Sequence, residues 1–159
     1  MPQIKPNKQI RSANKAVIIH DGRLLVLRKE DKHGTFYILP GGGQEHGETA
    51  EEGLIRECIE EVSVKVIPGK LLFVRDYISE NHGIPEDIAQ DLHQVELMFH
   101  CSIAEGEPAN GAHTDDGQLS VDWIDIKNID ELRLYPAAIK QYLGKVEDIT
   151  HTIYLGDVN

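Results

Sequence analysis

The sequence predicts an α/β fold in which a mixed β-sheet is covered on both faces. Three observations carry that prediction. Two β-rich runs flank a two-residue Asp21-Gly22 loop, and an amphipathic helix with a capping signal follows a run of glycines. Beyond it, apolar runs of strand length alternate with polar loops and short helical segments, the order expected of helices laid on a sheet.

In chain order, residues 1–13 are polar, basic and aperiodic, and are expected to form an N-terminal arm ahead of one domain over 14–159. Lys15–His20 and Arg23–Arg28 form the hairpin arms, Glu30–Thr35 a loop, and Phe36–Leu39 a short strand. Pro40-Gly41-Gly42-Gly43 breaks regular structure. Thr49-Ala50-Glu51-Glu52 then fits a capping box, and Leu54, Ile55, Cys58, Ile59 and Val62 recur at helical spacing. Val64–Ile67 and Leu71–Val74 are expected as strands about a Pro68-Gly69 turn, and Ser79–Asp91 as a long polar loop. Strands over Val95–Ile103 and Leu119–Ile124 are separated by a polar loop from Glu105 to Gly117. A capped turn at Asn128–Leu132, a helix over Pro136–Leu143 and an edge strand in Val146–Leu155 complete the expectation.

The composition excludes several classes. Of 159 residues, 27 are acidic and 16 basic, a net charge of -11 that would repel a polyanion, so wrapping of nucleic acid is not expected. The mean hydropathy of -0.34 suits a soluble globule, and no apolar run reaches the roughly 18 residues of a membrane span. The amino terminus lacks the apolar stretch of a secretory signal, and Cys58 and Cys101 have no CxxC partner, so a reduced cytoplasmic protein is expected.

The acidity is concentrated. Seven carboxylates and one cation, Arg56, lie between Gln44 and Glu61, so this window holds -6 of the -11. On a helical wheel at ~100° per residue, Glu57, Glu60 and Glu61 share a sector beside the apolar stripe, with Gly53 among them. Like charges at such spacing destabilise a bare helix, and a mid-helix glycine costs about 1 kcal/mol relative to alanine. A solvated face explains neither. Clustered carboxylates beside a Gly-rich loop suit a hard divalent cation that bridges to phosphate. The Gly41–Gly43 loop offers carbonyls to a metal or amides to an oxyanion, although no Gly-Lys-Ser/Thr or GxGxxG signature is present. The implied chemistry is hydrolysis of a phosphoanhydride.

The run Gly42, five residues, Glu48, seven residues, then Arg56-Glu57-Cys58-Ile59-Glu60-Glu61-Val62-Ser63-Val64 resembles the Nudix box, GX5EX7REUXEEXGU with U apolar. Its one departure is Ser63, where the box has the glycine that ends the helix at positive φ. The resemblance extends over roughly residues 14–143 and implies a Nudix-like α/β/α sandwich with a mixed β-sheet. It further implies Mg²⁺ or Mn²⁺ held by Glu57, Glu60, Glu61 and the Gly41 carbonyl. Glu57 is the first choice for general base, with Asp115 or Asp116 the alternatives outside the box. Arg56 would pair with Glu48 and orient the helix carboxylates.

Other residues carry weaker expectations. Arg28 and Arg75, at the ends of expected strands, are candidates to grip substrate phosphate together with Gly42 and Gly43, and solvated surface charges are an equal reading for each. Phe36, Tyr37 and Tyr77 are core residues or base-stacking rings, and Cys58 lies on the buried stripe. His93 and His100 read as strand residues, and Glu96 as facing either the site or solvent. The leading expectation is therefore a metal-dependent pyrophosphohydrolase acting on a small phosphorylated nucleotide. A noncatalytic nucleotide sensor on the same fold is the rival, a structural protein with an acidic helix is a weaker one, and a homodimer is left open.

Overall fold

The computed structural model describes residues 8–83 and 91–159. Its strands are β1 (Arg11–His20), β2 (Arg23–Asp31), β3 (Gly34–Ile38), β4 (Gly41–Gly43), β5 (Lys65–Ile78), β6 (His93–Glu105), β7 (Ser120–Asp125), β8 (Leu134–Tyr135) and β9 (Ile153–Asp157), with one α-helix, α1 (Ala50–Val62). They form a mixed, curled sheet in the order β8-β3-β2-β1-β6-β5-β9, with β4 added to β1 and β7 to β2.

β1 is the hinge of this sheet. Arg11–Ile18 run parallel to β6, while Ala13–Lys15 pair antiparallel with Gly43–Gly41 of β4. Only its end, Ile19–His20, pairs with β2 across a turn in which Asp21 (φ 49) and Gly22 (φ 71) are both left-handed, as a two-residue hairpin requires. The strand starts at Arg11 and so takes the last three residues of the expected arm. The glycine run, expected to break regular structure, adds a short strand to β1, which fixes the loop ahead of α1 against the sheet.

Alternation along β1 and β2 divides the core in two. Ala16, Ile18, Leu25 and Leu27 face Leu54, Cys58 and Val62 of α1. Val17, Leu24 and Val26 face Ile129, Ile139, Leu143 and Val146 on the far side. That second cover consists of 3-10 turns: Ile126–Glu131 lies where the sequence predicts a capped turn, and Ala137–Asp148 replaces the regular helix expected over Pro136–Leu143. Lys145 (φ -140, ψ 32) interrupts the second stretch.

Two other expectations are corrected. Pro68-Gly69 is not a turn but an irregularity within the single strand β5, whose register against β6 shifts between Pro68 and Leu71. β9 pairs with β5 only along Phe73–Asp76, so Pro68 blocks no ladder bond on that side, and a Cβ on Gly69 would lie 2.9 Å from the His100 carbonyl. The Glu30–Thr35 loop is a tight connection closed by the His33 N–H on Asp31 Oδ1 at 2.8 Å. Most of the expected Ser79–Asp91 loop lies outside the described residues. No helix among those described is long and apolar enough to cross a membrane.

Candidate active site

α1 starts with the capping box read from the sequence. The Glu52 N–H donates to Thr49 Oγ1 at 3.2 Å and the Thr49 N–H to Glu52 Oε2 at 2.8 Å. It ends at Ser63 (φ 61, ψ 24), whose N–H donates to the Ile59 carbonyl, so serine adopts the left-handed conformation usual for glycine.

Between these ends Arg56 gathers the charged residues. Its Nε and Nη2 donate to the two oxygens of Glu48 at 3.1 and 2.8 Å, and Nη2 also reaches the Gly43 carbonyl at 3.0 Å. Its Nη1 donates to Glu57 Oε1 at 3.0 Å and Glu60 Oε2 at 3.3 Å. The guanidinium, by its fork above all, holds the Glu48 carboxyl below its ordinary range, and Glu48 in turn raises the pKa of Arg56.

The glycines explain why this cluster can close. A Cβ on Gly42 would lie 2.6 Å from the Glu57 carboxyl carbon, and one on Gly53 would lie 2.7 Å from Glu48 Oε1. The mid-helix glycine therefore admits a box carboxylate, not a backbone or a ligand. Glu61 is 3% exposed and accepts from the Gly41 N–H at 3.2 Å. Burial pushes its carboxyl up to about 8, against the pull of the nearby Lys15 ammonium and the Gly41 N–H. Lys15 Nζ donates to the Gly41 carbonyl at 3.2 Å, the oxygen assigned to a metal by the box resemblance. Glu48, Arg56, Glu57, Glu60, Glu61 and Gly41–Gly43 thus meet in one place.

The donor set consists of three carboxylates and a carbonyl, all hard oxygen ligands, and fits Mg²⁺ or Mn²⁺. Among the described residues no three His, Cys, Asp or Glu side chains converge into a ready-made cage. Arg56 draws Glu57 and Glu60 to one side while Glu61 turns to Gly41.

The loop before β7 clamps the end of α1. N–H groups of Ala109, Gly111 and His113 donate to the carbonyls of Val62, Glu61 and Glu60 at 3.1, 2.9 and 3.0 Å. Gln118 Nε2 adds a bond to the Glu61 carbonyl at 3.0 Å. These are carbonyls a helix end leaves without intrahelical partners, and here they are satisfied by one loop. A Cβ on Gly111 would fall 2.1 Å from the Glu60 carbonyl. This segment, expected as a polar loop, also carries Asp115, whose carboxylate pairs with Lys29 at 2.5 Å.

The two expected phosphate grips are each engaged by a carboxylate. Arg28 is partly exposed and donates to Glu30 Oε1 at 3.2 Å. Arg75 is buried, ion-paired with Glu96 at 2.8 Å and bonded to the Val158 carbonyl at 2.7 Å. It lies inside β5, three residues before the strand ends, and its charge is already spent on a buried carboxylate. Burial pushes Glu96 up, but Arg75 and Lys15 outweigh it and hold the carboxyl below its ordinary value. His93 pairs with Asp76 at 2.8 Å. Cys58 is fully buried, and that burial drives its thiol far above the ordinary range.

The cations missed from the sequence are Lys15 and Arg11. Both lie on β1, and a Cβ on Gly43 would fall 2.5 Å from an Arg11 guanidinium nitrogen. Their placement follows from the β1–β4 pairing, which apolar patterning does not reveal.

A curled mixed sheet with a carboxylate-bearing helix behind a glycine strand defines a class, and comparison with known proteins agrees. The NUDIX domain model matches residues 11–143, and the chain belongs to the Nudix hydrolase family. The chain is 32% identical to a MutT-like protein of Streptomyces ambofaciens over 133 residues, covering 82% of this chain and 74% of that one. It is 29% identical over 110 residues to YjhB of Bacillus subtilis, whose name carries an ADP-ribose pyrophosphatase assignment. That match covers 69% of this chain and 48% of YjhB, so the chain spans about half of that relative's length. A NUDIX hydrolase from Nitrosomonas europaea shares the fold with a TM-score of 0.70 at 18% identity, covering 97% of this chain and 81% of that one.

Proposed function

We propose that this protein is a metal-dependent pyrophosphohydrolase acting on a nucleoside diphosphate linked to another group, as in ADP-ribose, nucleotide sugars or nucleoside triphosphates. The observation that carries this reading is the single guanidinium of Arg56 holding Glu48, Glu57 and Glu60 beside the Gly41–Glu61 contact. A merely solvated acidic helix has no use for such convergence. The assignment of YjhB points to the same substrate class.

Glu57, Glu60, Glu61 and the Gly41 carbonyl would hold Mg²⁺ or Mn²⁺. When bound, such cations neutralise phosphate charge and acidify water. Glu57 serves as the general base: Arg56 fixes one of its oxygens, and the carboxylate lies over Gly42 beside the expected path of the phosphates. Asp115 is a weaker choice, because Lys29 already occupies it. Arg56 positions the carboxylates, and Glu48 locks Arg56. Gly42 and Gly43 let the phosphate chain approach the backbone, with Arg11 beside Gly43 on its flank.

The test is a nucleotide panel ranked by kcat/KM in Mg²⁺, in Mn²⁺ and in EDTA, with release of mononucleotide or phosphate followed. Metal-dependent cleavage at a phosphoanhydride supports the reading. Nucleotide affinity without turnover across the panel would replace it with a sensor.

A further inference from the structure

Two resident cations serve the acidic cluster, and they divide it. Arg56 takes Glu48, Glu57 and Glu60, and is itself locked by the two-bond fork to Glu48. Glu61, although buried, is not among its partners. The cation that acts on Glu61 is Lys15, whose ammonium also draws on the buried Glu96 and donates to the Gly41 carbonyl at 3.2 Å. Glu96 has its own partner in Arg75 at 2.8 Å, whereas Lys15 makes its hydrogen bond to the Gly41 carbonyl, next to the Gly41 N–H that Glu61 accepts from.

The two cations also differ in mobility. Arg56 is pinned by several bonds in a fixed fork, whereas Lys15 is a compact charge on a flexible four-carbon stem whose ammonium makes one hydrogen bond among the described residues. Lys15 points from β1 on the sheet face that Arg11 shares, two side-chain positions along the strand, beside Gly41 and Gly43. Lys15, Arg11 and the Gly41–Gly43 strand thus lie along one stretch of the β1–β4 pair.

From this arrangement we propose that Lys15 is a placeholder cation: it occupies the Gly41–Glu61 corner in the metal-free protein, yields it to a divalent cation, and then grips the substrate phosphates. This inference rests on the proposed pyrophosphohydrolase reading and adds a positioning residue to it. No covalent step is involved, only the transfer of an ammonium from a carbonyl to phosphate oxygens. Its consequence is a pair of effects of opposite sign. A fixed positive charge close to a divalent site opposes metal binding, so its removal tightens metal. The same removal costs substrate affinity, because a charge-assisted contact to phosphate disappears.

The experiment measures Mn²⁺ affinity without nucleotide, by electron paramagnetic resonance of free Mn²⁺, for the wild type, Lys15→Gln and Lys15→Met. Glutamine keeps a donor for the Gly41 carbonyl and removes only the charge; methionine removes both. KM and kcat for the best substrate are measured alongside. Each variant is expected to bind Mn²⁺ at least about tenfold tighter and to show KM raised about tenfold or more. A residue that merely supports the fold would weaken both when replaced. Mn²⁺ affinity that is unchanged or weaker in a folded variant overturns the inference, and so does an unchanged KM. A wild type that binds Mn²⁺ and turns over substrate while the variants bind no tighter refutes the placeholder role alone. A wild type with neither Mn²⁺ affinity nor turnover refutes the proposed function as well.

Discussion

Arg56 and Glu48 face each other across the start of α1 through two parallel bonds, Nε to Oε2 at 3.1 Å and Nη2 to Oε1 at 2.8 Å. The pair, eight residues apart in the chain, orients the remaining Arg56 nitrogen toward Glu57 and Glu60. Lysine cannot reproduce this fork, because its ammonium is a point charge. Arg56→Lys should therefore keep the fold and lower kcat by about 10–100-fold, the usual cost of losing a residue that orients ligands. Steady-state kinetics together with far-UV circular dichroism check it; full activity in the folded variant would mean that Glu57 and Glu60 need no such support.

Gly42 is the position at which the smallest change should be felt at the chemistry. An alanine Cβ there would meet the Glu57 carboxyl carbon at 2.6 Å, and the carboxylate must move. A displacement of about 1 Å costs on the order of 10²-fold in rate. Gly144→Ala is the matched control, since a Cβ there meets nothing within 4 Å. Comparison of kcat and Tm for both variants should show a loss of rate confined to Gly42→Ala.

The clamp on the helix end makes a stability prediction. Gly111→Ala would place a Cβ 2.1 Å from the Glu60 carbonyl and push the loop off α1, breaking the bonds from Gly111 and His113 to Glu61 and Glu60. Urea unfolding should show a loss of about 1–3 kcal/mol. A loss below about 0.5 kcal/mol would show that the loop is dispensable to the helix.

Acid stability should depend on two carboxylates far from the site. Arg133 holds Asp31 down to about 2, its Nη2 2.7 Å from Oδ2. Asn81 and His82 hold Asp157 to about 2. Because both values are lowered in the folded chain, the unfolded chain takes up protons first as the pH falls. The stabilisation is complete above about pH 4, the unfolded carboxylate value, and is lost as the pH drops through about 2. Melting temperatures measured over that window should fall in the wild type and fall less steeply in Asp31→Asn. Parallel curves would show that the Arg133 pair contributes nothing.

Local signals in the sequence carried much of this molecule. The Asp21-Gly22 hairpin, the Thr49 cap, the buried stripe of α1 and the carboxylates that Arg56 collects all depend on spacing within one element or its immediate neighbours. What the sequence hid was long-range. Pro68-Gly69 has turn composition, yet pairing with β6 on one side lets β5 run straight through it. Arg75 looked like a strand-end cation until β6 brought Glu96 to it, and Lys15 and Arg11 gained a place at the site only through the pairing of β1 with β4. The close neighbour of Gly53, Glu48, is supplied by the loop before the helix and so lies outside the helical wheel.

The most direct test of the account is mononucleotide release from the best substrate of the panel, in Mn²⁺ and in EDTA, for the wild type and Glu57→Gln. Glutamine keeps the shape of the side chain but cannot accept the proton. Release should occur only with metal in the wild type and fall by about 10²–10⁴-fold in the variant, the range for loss of a general base. Undiminished release by Glu57→Gln, or release by the wild type that persists in EDTA, would contradict the assignment of this carboxylate cluster as a metal-dependent hydrolytic centre.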